Sequence, residues 1–344
     1  MTNRKRAAFV GAMLTVWLAV SLAVAGQFHV EVVSKGFQHD FWMQVKRGCD
    51  AAGEEFGATV NFVGPANESA FEEQNHLFAE AIAGKPSAVC IASLSPESSI
   101  PLVFEAADAG IPVIAFDSAI GPEAGGDVQS FVATNNRDAG AAAAQEMFDR
   151  LIDKEAFASL PARIGVLAQD TISQSNGDRT FGFIERMVQL CGAADTSVEG
   201  HLLYERPLPG AKVVIHVGIP AEAADEAMDE VVRSMFERAN LVGVYASNEF
   251  AAKSIIRVNE SFDLLGPGKV VGIGFDSGAA QIEAVRDRVL HGSITQNPYM
   301  IGYLCVKTAI EAARGLPVGD IDVPFHFYTA DNMDEPDIAA CLYQ

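Results

Sequence analysis

The sequence predicts an α/β fold made of two parallel-sheet halves, because one pattern of alternating strands and helices occurs twice along the 344 residues. Short apolar runs rich in β-branched residues alternate with helical patterns, which is typical of βαβ units with right-handed crossovers. A turn-rich break at 121–126 interrupts the alternation between the halves. An internal echo supports the duplication, since Ile114–Ser118 and Ile273–Ser277 each end a strand with an Asp-Ser pair.

The individual elements follow in order from this alternation. In the first half it predicts strands at 28–33, 59–63, 87–92, 111–116 and 130–133, and helices at 43–56, 70–83 and 99–109. In the second half it predicts helices at 138–152, 178–191, 221–238, 248–259 and 278–288, and strands at 163–168, 212–217, 241–246 and 269–275. The stretch 196–210, which contains Pro207 and Pro209, fits neither series and is predicted to be a loop or hairpin.

Residues 1–25 differ in character from the rest of the chain. A basic segment at 3–6 precedes an uncharged apolar run that ends in Ala23-Val24-Ala25. This order predicts an export signal cleaved after Ala25, and the alternative is a retained membrane anchor. Cleavage would remove three positive charges and change the net charge from −21 to −24. So acidic a protein is a poor partner for nucleic acid or anionic membranes, because phosphate contacts need Lys and Arg.

The sequence predicts neither a metal site nor a cofactor site. The five cysteines lack metal-type spacing, Cys90 and Cys305 lie in apolar runs typical of a core, and disulfide pairing stays open. The glycines at 272–278 depart from the dinucleotide-binding fingerprint in their spacing. No hydrolase motif is present, and His39 beside Asp40 is interpreted as a ligand-contacting or solvent-facing histidine rather than half of an acid–base pair.

The stretch Ser34–Trp42 is the first candidate for a binding site. It follows the first strand and precedes the first helix, which predicts a loop at the carboxyl end of the sheet, where open α/β sheets bind ligands. Two adjacent aromatics, Phe41 and Trp42, share this loop with Lys35 and His39. The combination suits a ligand that needs both stacking and hydrogen bonds.

Asp117 and Asp276 form the second candidate, because each follows a strand at the matching point of its half. Facing halves would direct both carboxylates into one cleft. A carboxylate can accept hydrogen bonds from vicinal hydroxyls of a sugar or polyol, while aromatic faces cover the C–H side of the ring. The alternative for each Asp is a helix N-cap, and the match between the halves favours ligand contact.

Two further polar residues sit near predicted strand ends. Arg179 lies in the polar segment 173–183, interpreted as a loop that opens a helix, and its guanidinium could bind ring oxygens or a carboxylate. Its alternative is a surface salt bridge with Asp178 or Glu185. Asn248 follows a strand and could contact a ligand, cap the next helix, or do both.

Several motifs agree with one known family in their order and spacing. They are Lys35-Gly36 with Phe41-Trp42, Ile111–Asp117, Asp178–Phe183, Ala246–Glu249, Gly274–Asp276 and Thr295-Gln296. Over about residues 27–344, the chain resembles the periplasmic sugar-binding proteins of the ribose-binding type, the substrate-binding components of ABC importers. The resemblance implies two doubly wound α/β lobes, joined by a three-segment hinge, with a ligand cleft that closes between them.

The resemblance also implies where the lobes divide. The first lobe would comprise 26–133 and 297–325, and the second 134–296 and 326–344. The hinge would cross near 133–134, 296–297 and 324–328.

The resemblance further implies a role for each site residue. Phe41 and Trp42 would sandwich the sugar ring, with Lys35 and His39 on the first-lobe side. The ligand hydroxyls would bond to Asp117, Arg179, Asn248, Asp276 and Gln296, beside Phe275. Ser118 stands where ribose-type pockets often carry Arg. This departure and the charged first loop leave a hexose, a polyol or an acidic sugar derivative as alternatives to a pentose.

The implied function is that of a non-enzymatic, monomeric solute-binding protein in the periplasm, which passes a sugar or polyol to a membrane ABC permease without cofactor or nucleic acid. One alternative is a receptor module that reports its ligand to a sensor kinase or chemoreceptor, and another is an exported α/β enzyme. Regulators of the lac-repressor type share the fold in their effector domain. Their DNA-binding function is disfavoured here by the export signal and the negative charge.

Overall fold

The computed structural model describes residues 28–37, 40–153 and 156–343, which form two α/β lobes. The strands are β1 (His29–Val33), β2 (Thr59–Val63), β3 (Ala88–Ile91), β4 (Val113–Phe116), β5 (Val128–Ala133), β6 (Ala162–Leu167), β7 (Thr196–Glu199), β8 (Val213–Gly218), β9 (Leu241–Ala246), β10 (Val271–Phe275), β11 (Gly292–Thr295), β12 (Ile321–Asp322) and β13 (His326–Tyr328). The helices are α1 (Asp40–Phe56), α2 (Phe71–Ala83), α3 (Pro96–Asp108), α4 (Asn136–Asp153), α5 (Gln174–Cys191), α6 (Asp225–Phe236), α7 (Glu249–Phe262), α8 (Ala279–Arg286), α9 (Pro298–Ala313) and α10 (Pro336–Ala339).

Each lobe is built on one sheet, and the two sheets share a strand order. The first lobe has the order β12-β5-β4-β3-β1-β2, and the second has β13-β11-β10-β9-β6-β8-β7. With β6 taken as the counterpart of β1, the order β5-β4-β3-β1-β2 in the first sheet matches β11-β10-β9-β6-β8 in the second. All pairings are parallel except that of β13 with β11. The predicted duplicated, mainly parallel α/β fold is confirmed.

Apolar side chains explain why these strands lie in the middle of their lobes. All four residues of β3, and all four of β4, are buried. Strands that helices cover on both faces read as continuous apolar runs rather than as alternating ones. Apolar clusters accordingly lie on both faces of each sheet.

The chain passes between the sheets at three places. It leaves the first sheet after β5, returns between β11 and α9, and crosses again between β12 and β13. Helix α9 then packs on α1 in the first lobe, and α4 packs on α5 in the second. Two of the three crossings therefore lead directly into a helix that packs on another helix of the lobe it enters.

Several boundaries differ from the sequence predictions. Helices α1 and α5 begin at Asp40 and Gln174, so that Phe41, Trp42 and Arg179 lie in helical turns rather than in loops. The stretch 196–210 contributes the edge strand β7, with a bridge from Val198 to Arg206. The alternation pattern assigned nothing after 288, where β11 and α9 lie.

Two other points concern the chain as a whole. The predicted export signal, residues 1–25, lies outside the described residues. Within the described part of the chain, no helix has the length and apolar character needed to cross a membrane. All five cysteines, whose pairing the sequence left open, are free thiols in the structure.

Candidate functional site

The carboxyl ends of the two sheets face a small, closely packed pocket between the lobes. The pocket is lined by Lys35, Phe41, Trp42, Glu68, Asp117, Ser175, Asn176, Arg179, Asn248, Glu249, Asp276 and Gln296.

Asp117 and Asp276 occupy equivalent positions in the two lobes. They directly follow β4 and β10, and both have left-handed backbone conformations, with φ of 58° and 78°. The N–H of Asp117 donates to the carbonyl of Val132 at 3.0 Å, and that of Asp276 donates to the carbonyl of Ile294 at 2.6 Å. Positive φ is uncommon outside glycine, although Asp is among the residues that tolerate it. The backbone therefore turns both carboxylates into the same cleft.

The surroundings of Asp276 are polar and closely packed. Its carboxylate accepts hydrogen bonds from Gln296 Nε2 at 2.7 Å and from the N–H of Glu249 at 3.1 Å, and it lies 3.8 Å from Arg179 Nη1. Burial raises the pKa of Asp276, and the nearby Arg179 opposes that rise. The helix after Asp276 has Gly278 as its N-cap, so the alternative role as cap of that helix is excluded.

Arg179 lies in the second turn of α5 and is buried. Its guanidinium carbon lies 3.9 Å from the centre of the Phe275 ring. Nε donates to Asn136 Oδ1 at 2.7 Å, and Nη1 donates to the carbonyl of Ser247 at 3.3 Å. The surface salt-bridge alternative is wrong, because Arg137 is the residue that pairs with Asp178 and Glu185.

Lys35 joins the two walls of the pocket. Its Nζ lies 2.9 Å from Asp117 Oδ2 in the first lobe. The same atom donates to Ser175 Oγ at 3.2 Å and to Ser173 Oγ at 3.4 Å in the second lobe. Because Lys35 is only 4% exposed, these bonds form where water does not compete freely.

Phe41 and Trp42 lie on the first turn of α1 and form one side of the pocket. Their rings contact each other edge to face, with centroids 4.9 Å apart and an interplanar angle of 87°. In this arrangement they do not present two parallel faces, so the sandwich implied by the resemblance is corrected. Trp42 Nε1 donates to Glu68 Oε1 at 2.9 Å, which fixes the indole.

Asn248 performs the structural role foreseen for it while also lining the pocket. Its Oδ1 accepts from the N–H of Ala251 at 3.1 Å as the N-cap of α7, and its Nδ2 donates to Gln169 Oε1 at 2.6 Å.

The structure brings most of the predicted residues together. Those that line the pocket are Lys35, Phe41, Trp42, Asp117, Arg179, Asn248, Asp276 and Gln296. Phe275 is buried beneath Arg179, and Ser118 is buried outside the lining, so neither forms a wall of the pocket. The prediction for His39 lies outside the described residues.

Four lining residues were not predicted from the sequence: Glu68, Ser175, Asn176 and Glu249. Glu68 lies in the loop after β2, and its position after a strand was the signal that could have found it. Ser175 and Asn176 belong to the polar segment that was noted only for Arg179. Glu249 directly follows Asn248, and its carboxylate also pairs with Lys253.

The pocket is lined by two cations and four carboxylates. Its two cations, Lys35 and Arg179, lie beside Asp117 and Asp276, one pair in each lobe. Two more carboxylates, from Glu68 and Glu249, line the walls. Hydroxyl groups can both donate to these carboxylates and accept from the cations. A ligand carboxylate would meet an excess of negative charge.

Comparison with known proteins identifies similar chains over nearly the full length. Residues 30–317 match the family model of the periplasmic binding protein domain. The D-allose-binding periplasmic protein of Escherichia coli K12 is 22% identical over 329 residues, which cover 94% of this chain and 96% of that protein.

Two solved structures show the same fold. A protein from Brachyspira murdochii, described as an ABC transporter, LacI family transcriptional regulator, is 32% identical with a TM-score of 0.79, covering 92% of this chain and 99% of that one. An ABC transporter solute binding protein from Agrobacterium vitis, solved with bound D-fucose, is 28% identical with a TM-score of 0.77, covering 92% of this chain and all of that one.

Proposed function

This chain belongs to the periplasmic binding protein family, and on that premise we propose that it captures an uncharged monosaccharide or polyol between its lobes and delivers it to a membrane ABC importer. The observation that carries the proposal is the matched pair of carboxylates, Asp117 and Asp276, each beside a buried cation in one pocket. Such pairs offer acceptors and donors to neighbouring hydroxyls. The bound sugars named for two of the similar proteins have this chemistry.

Different residues of the pocket interact with different parts of the ligand. Asp117 and Asp276 accept hydrogen bonds from ligand hydroxyls, and the amides of Asn248 and Gln296 can both donate and accept. Phe41 and Trp42 cover the apolar side of the ring. The carboxylates of Glu68 and Glu249 disfavour sugar acids, because like charges in a poorly solvated site repel strongly.

The lobes close over the ligand by a hinge motion at the three crossings. In this proposal the first lobe comprises 26–133 and 297–325, and the second comprises 134–296 and 326–344. The positions of β12 in the first sheet and β13 in the second support this division. The bonds from Lys35 to Ser173 and Ser175 are contacts that form only when the lobes meet.

Delivery to an importer requires export. We propose that residues 1–25 direct the chain to the periplasm, that cleavage follows Ala25, and that the mature protein acts as a monomer. The partner in the membrane is an ABC permease, as the description of the Agrobacterium vitis protein suggests.

A thermal-shift screen of residues 26–344 tests the proposal. A ligand that binds only the folded state raises the melting temperature according to its concentration relative to the dissociation constant. We expect D-allose, D-fucose or another neutral sugar or polyol to raise it, and sugar acids to leave it unchanged. The Asp276→Asn variant serves as the control and should show a smaller shift at the same sugar concentration. A shift with sugar acids alone, or chemical conversion of the sugar, would contradict the proposal.

A further inference from the structure

The segment Cys341–Tyr343 connects the two lobes beside the pocket without lining it. Its first residue is held by the second lobe. The carbonyl of Cys341 accepts from Thr295 Oγ1 at 2.9 Å and from Ser277 Oγ at 3.3 Å. These two hydroxyls belong to residues at the carboxyl ends of β11 and β10.

Two residues further on, the Tyr343 ring lies in the first lobe. It is 2% exposed and belongs to the apolar cluster that contains Phe41, Trp42 and Phe116. Its centroid lies 6.1 Å from that of Phe41, at an interplanar angle of 70°. Phe41 in turn contacts Trp42, so Tyr343 supports the aromatic side of the pocket from behind.

The hydroxyl of Tyr343 contacts the second lobe. It accepts a hydrogen bond from the N–H of Ser277 at 3.3 Å. Ser277 directly follows Asp276, whose left-handed backbone aims the carboxylate into the pocket. One side chain therefore contacts the first-lobe aromatic wall and the backbone beside the second-lobe carboxylate.

We propose that Tyr343 is a positioning residue, which couples the placement of Phe41 to that of the Asp276–Ser277 turn and thereby holds the closed form of the site. The inference rests on the proposed function, since it describes how the same pocket is kept closed. The carbonyl of Cys341 fixes the segment to the second lobe, while the Tyr343 ring is buried in the first lobe. A movement of one lobe relative to the other therefore disturbs the contacts of Tyr343. Tyr343 thus adds a link between the lobes to the three chain crossings.

The Tyr343→Phe variant tests this role, because it keeps the buried ring and removes only the hydroxyl. We expect the Ser277 amide of the sugar-free protein to exchange with deuterium about tenfold faster, as for loss of one neutral hydrogen bond. With D-allose and D-fucose as probes, we expect about tenfold faster dissociation and an association rate within about twofold of the wild type. A hydroxyl with a merely structural role would leave dissociation unchanged.

Two further variants complete the experiment. Tyr303→Phe is the matched control, since it removes a hydroxyl that donates to Glu55 within the first lobe, and it should change neither measurement. Thr295→Val loosens the Cys341 anchor without altering Tyr343, and it should also speed dissociation.

The results distinguish the positioning role of Tyr343 from the proposed binding of a sugar. If Tyr343→Phe leaves sugar dissociation as in the wild type, the positioning role is overturned, even if Ser277 exchanges faster. If the wild type binds neither probe, the failure concerns the proposed sugar, and unchanged Ser277 exchange in the sugar-free Tyr343→Phe variant would still overturn the positioning role.

Discussion

Asp117 and Asp276 occupy backbone conformations that few residues other than glycine adopt. Uncommon backbone geometry persists only where the surroundings hold it in place, and such positions cluster at ligand sites. Here a backbone hydrogen bond to the neighbouring strand holds each turn. The neighbouring cations, Lys35 and Arg179, offset the charge that burial would otherwise make costly. The site is thus built from two copies of one turn.

Acidic pH should weaken sugar binding through Asp276. Burial raises the pKa of this carboxyl, so the ionised form that accepts ligand hydroxyls is present above the raised pKa and is lost as the pH falls through it. Affinity should fall in that window, at a higher pH than for an ordinary Asp. Asp276→Asn should weaken binding at neutral pH by about 2 kcal/mol and remove the acid step. Titrations over a pH series measure both effects.

The control for this prediction is Asp331→Asn. Asp331 is an exposed partner of Arg288, which lowers its pKa. This variant should keep the acid step of the wild type. An unchanged acid step in Asp276→Asn would show that another group governs the pH dependence.

Trp42 should report binding by its fluorescence. The chain has two tryptophans, and the other, Trp17, lies within the predicted export signal, so that residues 26–344 contain Trp42 alone. A ligand in the pocket changes the surroundings of the indole and should alter its emission. Glu68→Gln should shift the emission of the free protein, because Glu68 accepts the indole N–H. Sugar binding without any change in emission would place the ligand away from Trp42.

Site residues that closely follow a strand could be predicted from the sequence, because the end of an apolar run shows where the strand ends and the pocket begins. Asp117, Asn248 and Asp276 were found in this way. Glu68 was missed, since it lies five residues beyond the end of β2 rather than directly after the strand. The edge-to-face geometry of Phe41 and Trp42 could not be foreseen either, because it depends on a helix start that lies three residues before the predicted one.

Two close helix pairs position the side chains of the pocket. In the first lobe α9 packs on α1, which carries Phe41 and Trp42, and in the second α4 packs on α5, which carries Arg179. A glycine in each pair allows the two helices to pack closely. A Cβ at Gly302 would overlap the carbonyl of Val45, and one at Gly140 would overlap the carbonyl of Arg179. The same kind of contact therefore sets the position of α1 in the first lobe and of α5 in the second.

Gly140→Ala should displace Arg179. The added methyl cannot fit against the carbonyl of Arg179 unless α4 and α5 separate, and overpacking of this kind costs about 1–3 kcal/mol of folding free energy. Sugar affinity should fall with it, as chemical denaturation and fluorescence titration would show. Gly177→Ala is the control, because a Cβ there meets no atom within 4 Å. Equal affinity in the two variants would contradict the proposed link between helix packing and the site.

At the scale of elements, the alternation of apolar runs predicted most strands to within two residues. It did not predict β7, because an edge strand beside proline-containing sequence lacks the continuous apolar run of a central strand. Neither did it assign β11 and α9. The strand is short and contains Ser293 and Thr295, which are buried but polar. Their burial depends on contacts with Ser277 and Asp276 that only the fold brings together.

Two lobes with one strand order place the carboxyl ends of both sheets around a single pocket. The duplication was visible in the sequence from two βα series and the repeated Asp-Ser strand ends. The inward orientation of the lobes was not, because orientation depends on three chain crossings and on contacts such as those of Lys35 and Tyr343. The acidic composition predicted a partner other than nucleic acid, because phosphate contacts need Lys and Arg.

Calorimetric titration of the neutral sugar that gives the largest thermal shift, with the wild type, Asp117→Asn and Asp276→Asn compared in parallel, tests whether both lobes hold the ligand. We expect one sugar per wild-type chain and at least about tenfold weaker binding in each variant, because each removes a charged acceptor worth about 1.5 kcal/mol or more from a different lobe. Binding of wild-type strength in either variant would contradict a site shared between the lobes.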